Sequence, residues 1–330
     1  MMKKSASSRW GGVLAAAVMA LSHAIAGAQT TGYPNKPIRI VVPYPAGGAV
    51  DTVTRIVGVK LGELLGQAVV VDNRPGGTTL IGTTHAARSA PDGYTLTMGS
   101  LASHTTGPLL NKDTPYDPVK DFTPISLVGI APVILVVNNG FPANTASEFL
   151  ALVRAHPGKY NYASSGNGSP PHIAGAIYAS QTGVHMVHVP YKGGTAHHLD
   201  LQAGRVDAIF DTSVSSMPFI KAGKLRAIAI ATLQRSPELP EVRTFDESGL
   251  PGFELTTWYG LLAPGGTPAD IVKRLNDALV QVVAMPEVRQ KLRGLSIDAT
   301  STTPEQFGAL IRAQLTKYER PIREGGIQAD

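Results

Sequence analysis

No cysteine occurs anywhere in the 330 residues. That absence excludes disulfide frameworks, thiol nucleophiles and thiolate metal sites, and with them a lipid-modified cysteine after a leader. No basic block interleaved with aromatics is present either, which excludes nucleic acid as a partner. The formal charge of +5 comes from 29 Lys and Arg against 24 Asp and Glu. Three of those basic residues, Lys3, Lys4 and Arg9, stand at the amino terminus, so the rest of the chain is close to neutral. Catalytic signatures are missing as well: no G-x-S-x-G surrounds a serine, and there is no H-E-x-x-H. Residues 77–84 have the spacing of a phosphate-binding loop, but Thr83 stands where its lysine belongs. Gly166-Asn167-Gly168 is not continued into a dinucleotide fingerprint. Neither enzymatic activity nor a cofactor is expected. No Pro/Ser/Gly-rich linker divides the chain, so any domains are joined by ordered segments.

What is present begins with a leader. After the basic residues comes an apolar core, residues 13–21, too short for a spanning helix of ~20 residues, and then Ala26-Gly27-Ala28, a small-residue cleavage site. Residues 1–28 read as a signal peptide, and export without cysteine suits a bacterial periplasm. The remaining length suits two lobes of ~100–200 residues each.

One phrase is then written nearly twice. Val42-Pro43-Tyr44-Pro45-Ala46-Gly47-Gly48 returns as Val189-Pro190-Tyr191-Lys192-Gly193-Gly194. Each copy follows a β-branched run and precedes a helical pattern, so each is an elbow at the carboxyl end of a strand. Open α/β sheets bind ligands there, because glycine admits close backbone approach and the next helix presents free N–H groups. The first reading is two lobes gripping one anion. β-α alternation runs along the whole chain. Residues 125–137 break it with two apolar runs and no helix between, which reads as a crossing between lobes. Residues 253–263 read as the return crossing, and residues 268–285 and 303–324 as amphipathic helices closing the first lobe. The expected architecture is therefore α/β and two-lobed, each lobe a mostly parallel sheet flanked by helices, with the two crossing strands as a hinge. Residues 29–125 with 253–330 form the first lobe and 126–252 the second.

Six motifs in order closely resemble the Bug (TctC-type) substrate-binding proteins of tripartite tricarboxylate transporters. They are Tyr33-Pro34-Asn35-Lys36-Pro37-Ile38, Pro43 to Asp51, Asn73-Arg74-Pro75-Gly76-Gly77, Pro91-Asp92-Gly93-Tyr94, Val189 to Gly194, and Ala263-Pro264-Gly265-Gly266-Thr267-Pro268. The resemblance spans essentially the whole mature chain. It implies a periplasmic Venus flytrap of the type II kind, delivering a di-, tri- or aromatic carboxylate to membrane transporter subunits or to a sensor ectodomain, as a monomer. It also implies that Tyr44, Ala46, Gly47, Gly48 and Asp51, together with Ser164, Ser165, Gly166, Gly168, Ser169 and His172, belong to two carboxylate-gripping loops.

The residues themselves leave several of these roles open. Serine and glycine at a helix start bind an oxyanion through backbone amides, yet they are also ordinary caps. Asp51 in a first helical turn stabilises the helix dipole whether or not it meets a ligand. Tyr44 and Tyr191 supply either a cleft wall and a hydroxyl or packing beneath their elbows. Ser100 ends a strand and faces the cleft by topology, or caps the segment after it. Asp211 also ends a strand and suits a ligand amine, or hydrogen bonds from loop amides. Trp258 is either a ligand platform or part of a hinge core. A reading of another class rests on His185, His188, His197 and His198, which bracket the second elbow: a periplasmic metal-binding protein or metal-dependent enzyme. Against it, His185 and His188 point to opposite faces of a strand, His197 and His198 diverge on a helix, and Asp200 is the only close carboxylate.

Overall fold

The computed structural model describes residues 32–111, 113–192 and 195–324. The expected signal peptide and the Gly193-Gly194 pair of the second elbow lie outside the described residues. All elements below belong to one compact unit that begins at Lys36.

The β-α alternation appears as read. β1 (Ile38–Val42), α1 (Ala49–Leu65), β2 (Val69–Asn73), α2 (Leu80–Ala87) and β3 (Thr95–Ser100) come first. A π-helical turn (Ala102–Thr106) and the short α3 (Gly107–Leu110) lead to β4 (Phe122–Asn138). Then follow α4 (Ala146–Ala155), β5 (Asn161–Ser164), α5 (Pro170–Thr182), β6 (Val187–Pro190), α6 (Ala196–Gln202), β7 (Ala208–Thr212), α7 (Ser213–Lys221) and β8 (Leu225–Ile230). β9 (Thr256–Pro264), α8 (Ala269–Ala284), α9 (Pro286–Arg293) and α10 (Pro304–Glu324) complete the chain. α1 ends at Gly66, whose left-handed φ of 69° lets its N–H turn back to the Gly62 carbonyl, a stop that a side chain would strain. The helix expected over residues 268–285 is α8, which ends where Met285 leaves the helical region; α9, begun by Pro286 at its first position, was not expected.

The nine strands form one continuous sheet in the order β2-β1-β3-β9-β4-β7-β5-β6, with β8 also on β4. β4 belongs to both halves. Phe122 to Pro132 pairs with β9, while Val133 to Asn138 pairs with β7 and β8. The two apolar runs read as a crossing are thus one 17-residue strand, which tolerates Pro124 because the ladder shifts register between Pro124 and Ser126. The return crossing is β9, antiparallel to β4 and β3. At the crossover, Ala231 donates to the Val133 carbonyl, Leu255 to Ala231, and Val133 to Leu255.

Burial follows the strand period of two. Val133, Leu135 and Val137 face a core containing Phe149, Tyr178, Phe210 and Phe245, whereas Ile134 and Val136 face another containing Leu201, Ile209, Met217 and Ile230. Both faces of β4 are covered, so its run is continuously apolar. Each such side chain contributes ~1.5–3 kcal/mol by burial.

Strand direction fixes where a site can be. β4 runs from the first half of the sheet into the second; β1 and β3 run in its sense, while β7, β5 and β6 run against it. The carboxyl ends from the two halves therefore aim at one another, and the segments that follow them meet in a cleft.

Candidate ligand-binding cleft

The first elbow leaves β1 at Pro43. Gly47 takes a φ of +80°, open to glycine at no steric cost, and Gly48 is the N-cap residue of α1 with extended backbone. Asp51 sits one turn in and is 3 % exposed. Its carboxylate accepts from the Gly47 N–H (2.8 Å), Asn73 Nδ2 (3.0 Å) and Arg55 Nε (2.9 Å). Burial alone would raise its pKa, but the hydrogen bonds from Arg55, Gly47 and Asn73 outweigh it and hold the carboxyl below its usual range. Asp51 therefore builds the elbow from behind. Ala46 and Gly47 lie on the exposed bend. Tyr44 is half-buried and its hydroxyl meets Ser100 Oγ at 2.8 Å, linking the ends of β1 and β3. Burial pushes that phenol up to about 12 against the opposing pull of Ser100.

The loop after β5 is equally self-contained. Ser164 Oγ accepts from the Gly166 N–H (3.1 Å) and lies 2.7 Å from His188 Nε2, and Ser169 Oγ donates to the Gly166 carbonyl (2.6 Å). Gly168 donates its N–H to His172 Nδ1 (3.0 Å), and the His172 ring stacks on His188 at 4.0 Å with an interplanar angle of 2°. Gly166 (φ +124°) and Gly168 (φ +71°) need the freedom of glycine. The loop also reaches the other half: Thr106 Oγ1 donates to the Gly168 carbonyl at 2.7 Å.

Two connected spaces lie between these loops. The larger is the cleft itself, at about 660 Å³. Tyr44, the 75–80 segment, Ser165, Gly166, Asn167, Ser169, Pro190, Tyr191 and Lys192 line it, and Lys192 is the one cationic side chain among them. The smaller, about 50 Å³, shares Tyr44 and Ser165 with the cleft and is walled by Gly48, Ser100, His197, Asp211, Thr212, Ser215, Thr257 and Tyr259. The starts of α1 and α7 both border it. Of the expected residues, Tyr44, Gly48, Ser100, Ser165, Gly166, Ser169, Tyr191 and Asp211 line one space or the other. Ala46, Gly47, Asp51, Ser164, Gly168 and His172 shape the loops behind them.

Tyr191 serves as a wall, because its hydroxyl donates outward to Asp200 (2.6 Å), which also holds Arg205 (2.8 Å). Asp211 is 2 % exposed, and its carboxylate accepts from the Thr212 N–H (2.8 Å) and Ser216 Oγ (2.7 Å) and meets His198 Nε2 at 2.7 Å. Burial works to raise its pKa, and His198, His197 and Ser216 bring it below the usual range. Burial pushes His197 down to about 4 despite the opposing pull of Asp211, and His188 likewise to about 4, helped by His172.

The histidine reading needs correction. His197 and His198 do not diverge: their ring centroids are 4.2 Å apart, and both face Asp211, not Asp200. Seven-residue α6 packs onto β4 and β5, so neighbours in sequence are both drawn inward and reach Asp211 in β7. His188 belongs to the Ser164 loop, and His185 lies beside Gly158. Trp258 is 2 % exposed and packs edge-on against Phe307 at 5.2 Å, which makes it hinge core. Sequence reasoning passed over Thr212, Ser215, Tyr259 and the wall from Thr78 to Leu80. For Thr212 and Ser215 the signal was available, since they follow a strand end. Thr78 and Thr79 carry positive φ values of 49° and 80°, which no β-branched residue announces in sequence.

A sheet in two halves that shares its crossing strands, with strand ends opposed across a polar cleft, defines a two-lobed binding protein. The family model described as "Tripartite tricarboxylate transporter family receptor", TctC, matches residues 53–327, and this chain belongs to that family. A relative from Pseudomonas sp. (strain P51), a UPF0065 protein in the tcbD-tcbE intergenic region, is 37% identical over 324 residues, covering 96% of this chain and 95% of that protein. Two solved structures from Rhodopseudomonas palustris superpose closely. Rpa4515 with adipate has a TM-score of 0.87 at 31% identity, covering 90% of this chain and 100% of that one. MatC with bound malate has a TM-score of 0.82 at 33% identity, covering 88% and 100%. A receptor family accounts for the absence of catalytic motifs: the chain is a solute-binding protein and not an enzyme, and neither the family nor its solved members support the metal-dependent reading. No helix among the described residues is long and apolar enough to cross a membrane.

Proposed function

We propose that this receptor captures a small organic carboxylate, a di- or tricarboxylate or an aromatic acid, between the elbow after β1 and the loop after β5. It then presents the acid to membrane transporter subunits or to a sensor ectodomain. The observation that carries this reading is the opposition of Tyr44-Gly48 and Ser165-Ser169 across a cleft of about 660 Å³ whose lining has one cation, Lys192. Such a lining holds an anion by backbone N–H groups and hydroxyls at helix starts. Adipate in Rpa4515 and malate in MatC agree with that chemistry. The leader at residues 1–28 supports a periplasmic location. Residues 29–125 with 253–330 act as one lobe and 126–252 as the other, turning about β4 and β9 in a monomer. The ligand bridges the loops and shifts the population to the closed form.

The test is a thermal-shift and calorimetric screen of the mature chain, refolded to strip carried-over ligand, against mono-, di- and tricarboxylates and aromatic acids. A ligand at a hundred times its Kd adds ~2.7 kcal/mol of apparent stability. Gly48→Val and Ser165→Leu fill the cleft wall; Gly48 has an extended backbone that valine adopts, so its circular dichroism stays native while binding is lost. Unchanged affinity in both variants places the site elsewhere.

A further inference from the structure

The small chamber beneath Tyr44 and Ser165 contains two groups whose hydrogen-bonding capacity is unspent. His197 is 1 % exposed, and neither of its ring nitrogens has a hydrogen-bond partner. Tyr259 is 1 % exposed, and its hydroxyl is also unpartnered. Buried polar atoms are normally satisfied, and leaving them without a partner costs stability. Three of the polar groups around them are committed: Tyr44 to Ser100, Asp211 to Thr212, Ser216 and His198, and Thr212 Oγ1 to Ser215 Oγ.

We propose that His197 and Tyr259 form a subsite that reads a hydroxyl group on the ligand, so that the receptor selects hydroxycarboxylates over their unsubstituted counterparts. This rests on the carboxylate reading of the cleft and adds a second point of recognition to it.

Three features favour a hydroxyl. The first is size: at about 50 Å³ the chamber admits a substituent of one or two heavy atoms while the carbon chain stays in the cleft. The second is valence. A neutral imidazole offers one donor and one acceptor, and a phenol does the same, so a group that both donates and accepts is served by either ring in either tautomer, whereas a methylene is served by neither. A hydroxyl does this; a keto oxygen only accepts. The third is charge. No lysine or arginine lines the chamber, and Asp211 stands at its wall with His197 Nε2 4.0 Å away. A second carboxylate would be repelled there. An ammonium would find the lone pairs of Asp211 already engaged by three donors.

The experiment is calorimetric titration of the refolded mature chain with matched acids: malate against succinate, 2-hydroxyglutarate against glutarate, and mandelate against phenylacetate. In the wild-type protein the hydroxy member of the pair that fits the cleft binds about tenfold or more tightly than its counterpart. His197→Leu brings that ratio to within about threefold, because the polar partner is gone while volume is kept. His197→Asn, which still donates and accepts, retains part of it, and Tyr259→Phe, a small change for the fold, lowers it as well. A wild-type ratio near one, a ratio untouched by His197→Leu and Tyr259→Phe, or a preference for the amino acid aspartate over malate overturns the inference. In each of these cases carboxylate binding itself survives. Failure of every acid to bind overturns the carboxylate reading and this one together, so the two failures are distinct.

Discussion

The two Pro-Tyr elbows are spelled almost alike and are used differently. After β1, an inner strand, Tyr44 turns its hydroxyl to Ser100 and borders both the cleft and the chamber below it. After β6, an edge strand, Tyr191 lends the cleft only its ring and spends its hydroxyl on Asp200. The first elbow is locked by a buried aspartate and starts a 17-residue helix, whereas the second leads to a helix of seven. What faces the first elbow most directly across the chamber is the loop after β5, which shares no sequence with it. A repeated motif thus recurs at the carboxyl ends of two strands, while its place in the sheet decides its task.

That comparison can be broken by mutation. The largest effect is expected at Asp51. Asp51→Ala strands the Gly47 N–H and takes one partner from Asn73, while half-exposed Arg55 returns to water, so about 1–3 kcal/mol is lost in urea unfolding. Its counterpart Asp200→Ala, on a half-exposed pair, stays within the error of the same experiment; equal losses would make the elbows energetically equivalent. Acid comes next. His197 and His188 are depressed to about 4 in the folded chain, so between pH 6.5 and 4 the unfolded chain binds more protons and stability falls as pH falls. From pH 7 to 5 buried His197 costs roughly 2 kcal/mol and His188, partly exposed and screened by solvent, costs less; His197→Leu removes its share of the pH dependence. Asp51 and Asp211, lowered from their usual range, add to the loss only as pH falls further toward their folded values.

Thr106→Val removes the hydroxyl that holds the Gly168 carbonyl, with an expected loss of about 1 kcal/mol by the same unfolding assay. The smallest effect separates the tyrosines. Tyr44→Phe lowers ligand affinity by roughly threefold to tenfold in calorimetry, since its hydroxyl borders both spaces, and Tyr191→Phe changes it less. A reversed order would assign the second elbow the polar role.

The fold was largely legible because its signals are local. Alternation at Val133 to Val137, the glycine stop at Gly66 and the missing helix between residues 125 and 137 each report on a few neighbours. The loops of the site were legible for the same reason, as glycine and serine at strand ends. What escaped was tertiary convergence. His197 and His198 look divergent on an isolated helix, and only the packing of α6 against β4 and β5 brings both to Asp211. Asp51 and Ser164 show the converse: residue types suited to a ligand were used to brace the loops that face it.

The position of β9 has a consequence for biosynthesis. Gly99 and Ser100 pair with Gly260 and Tyr259, and residues 122–132 pair with the same late strand, so the early half of the sheet stays incomplete until the chain is nearly finished. Contacts so distant along the chain form slowly. A nascent polypeptide that postpones its own closure in this way remains threadable during translocation, which matches the export leader proposed at its amino terminus.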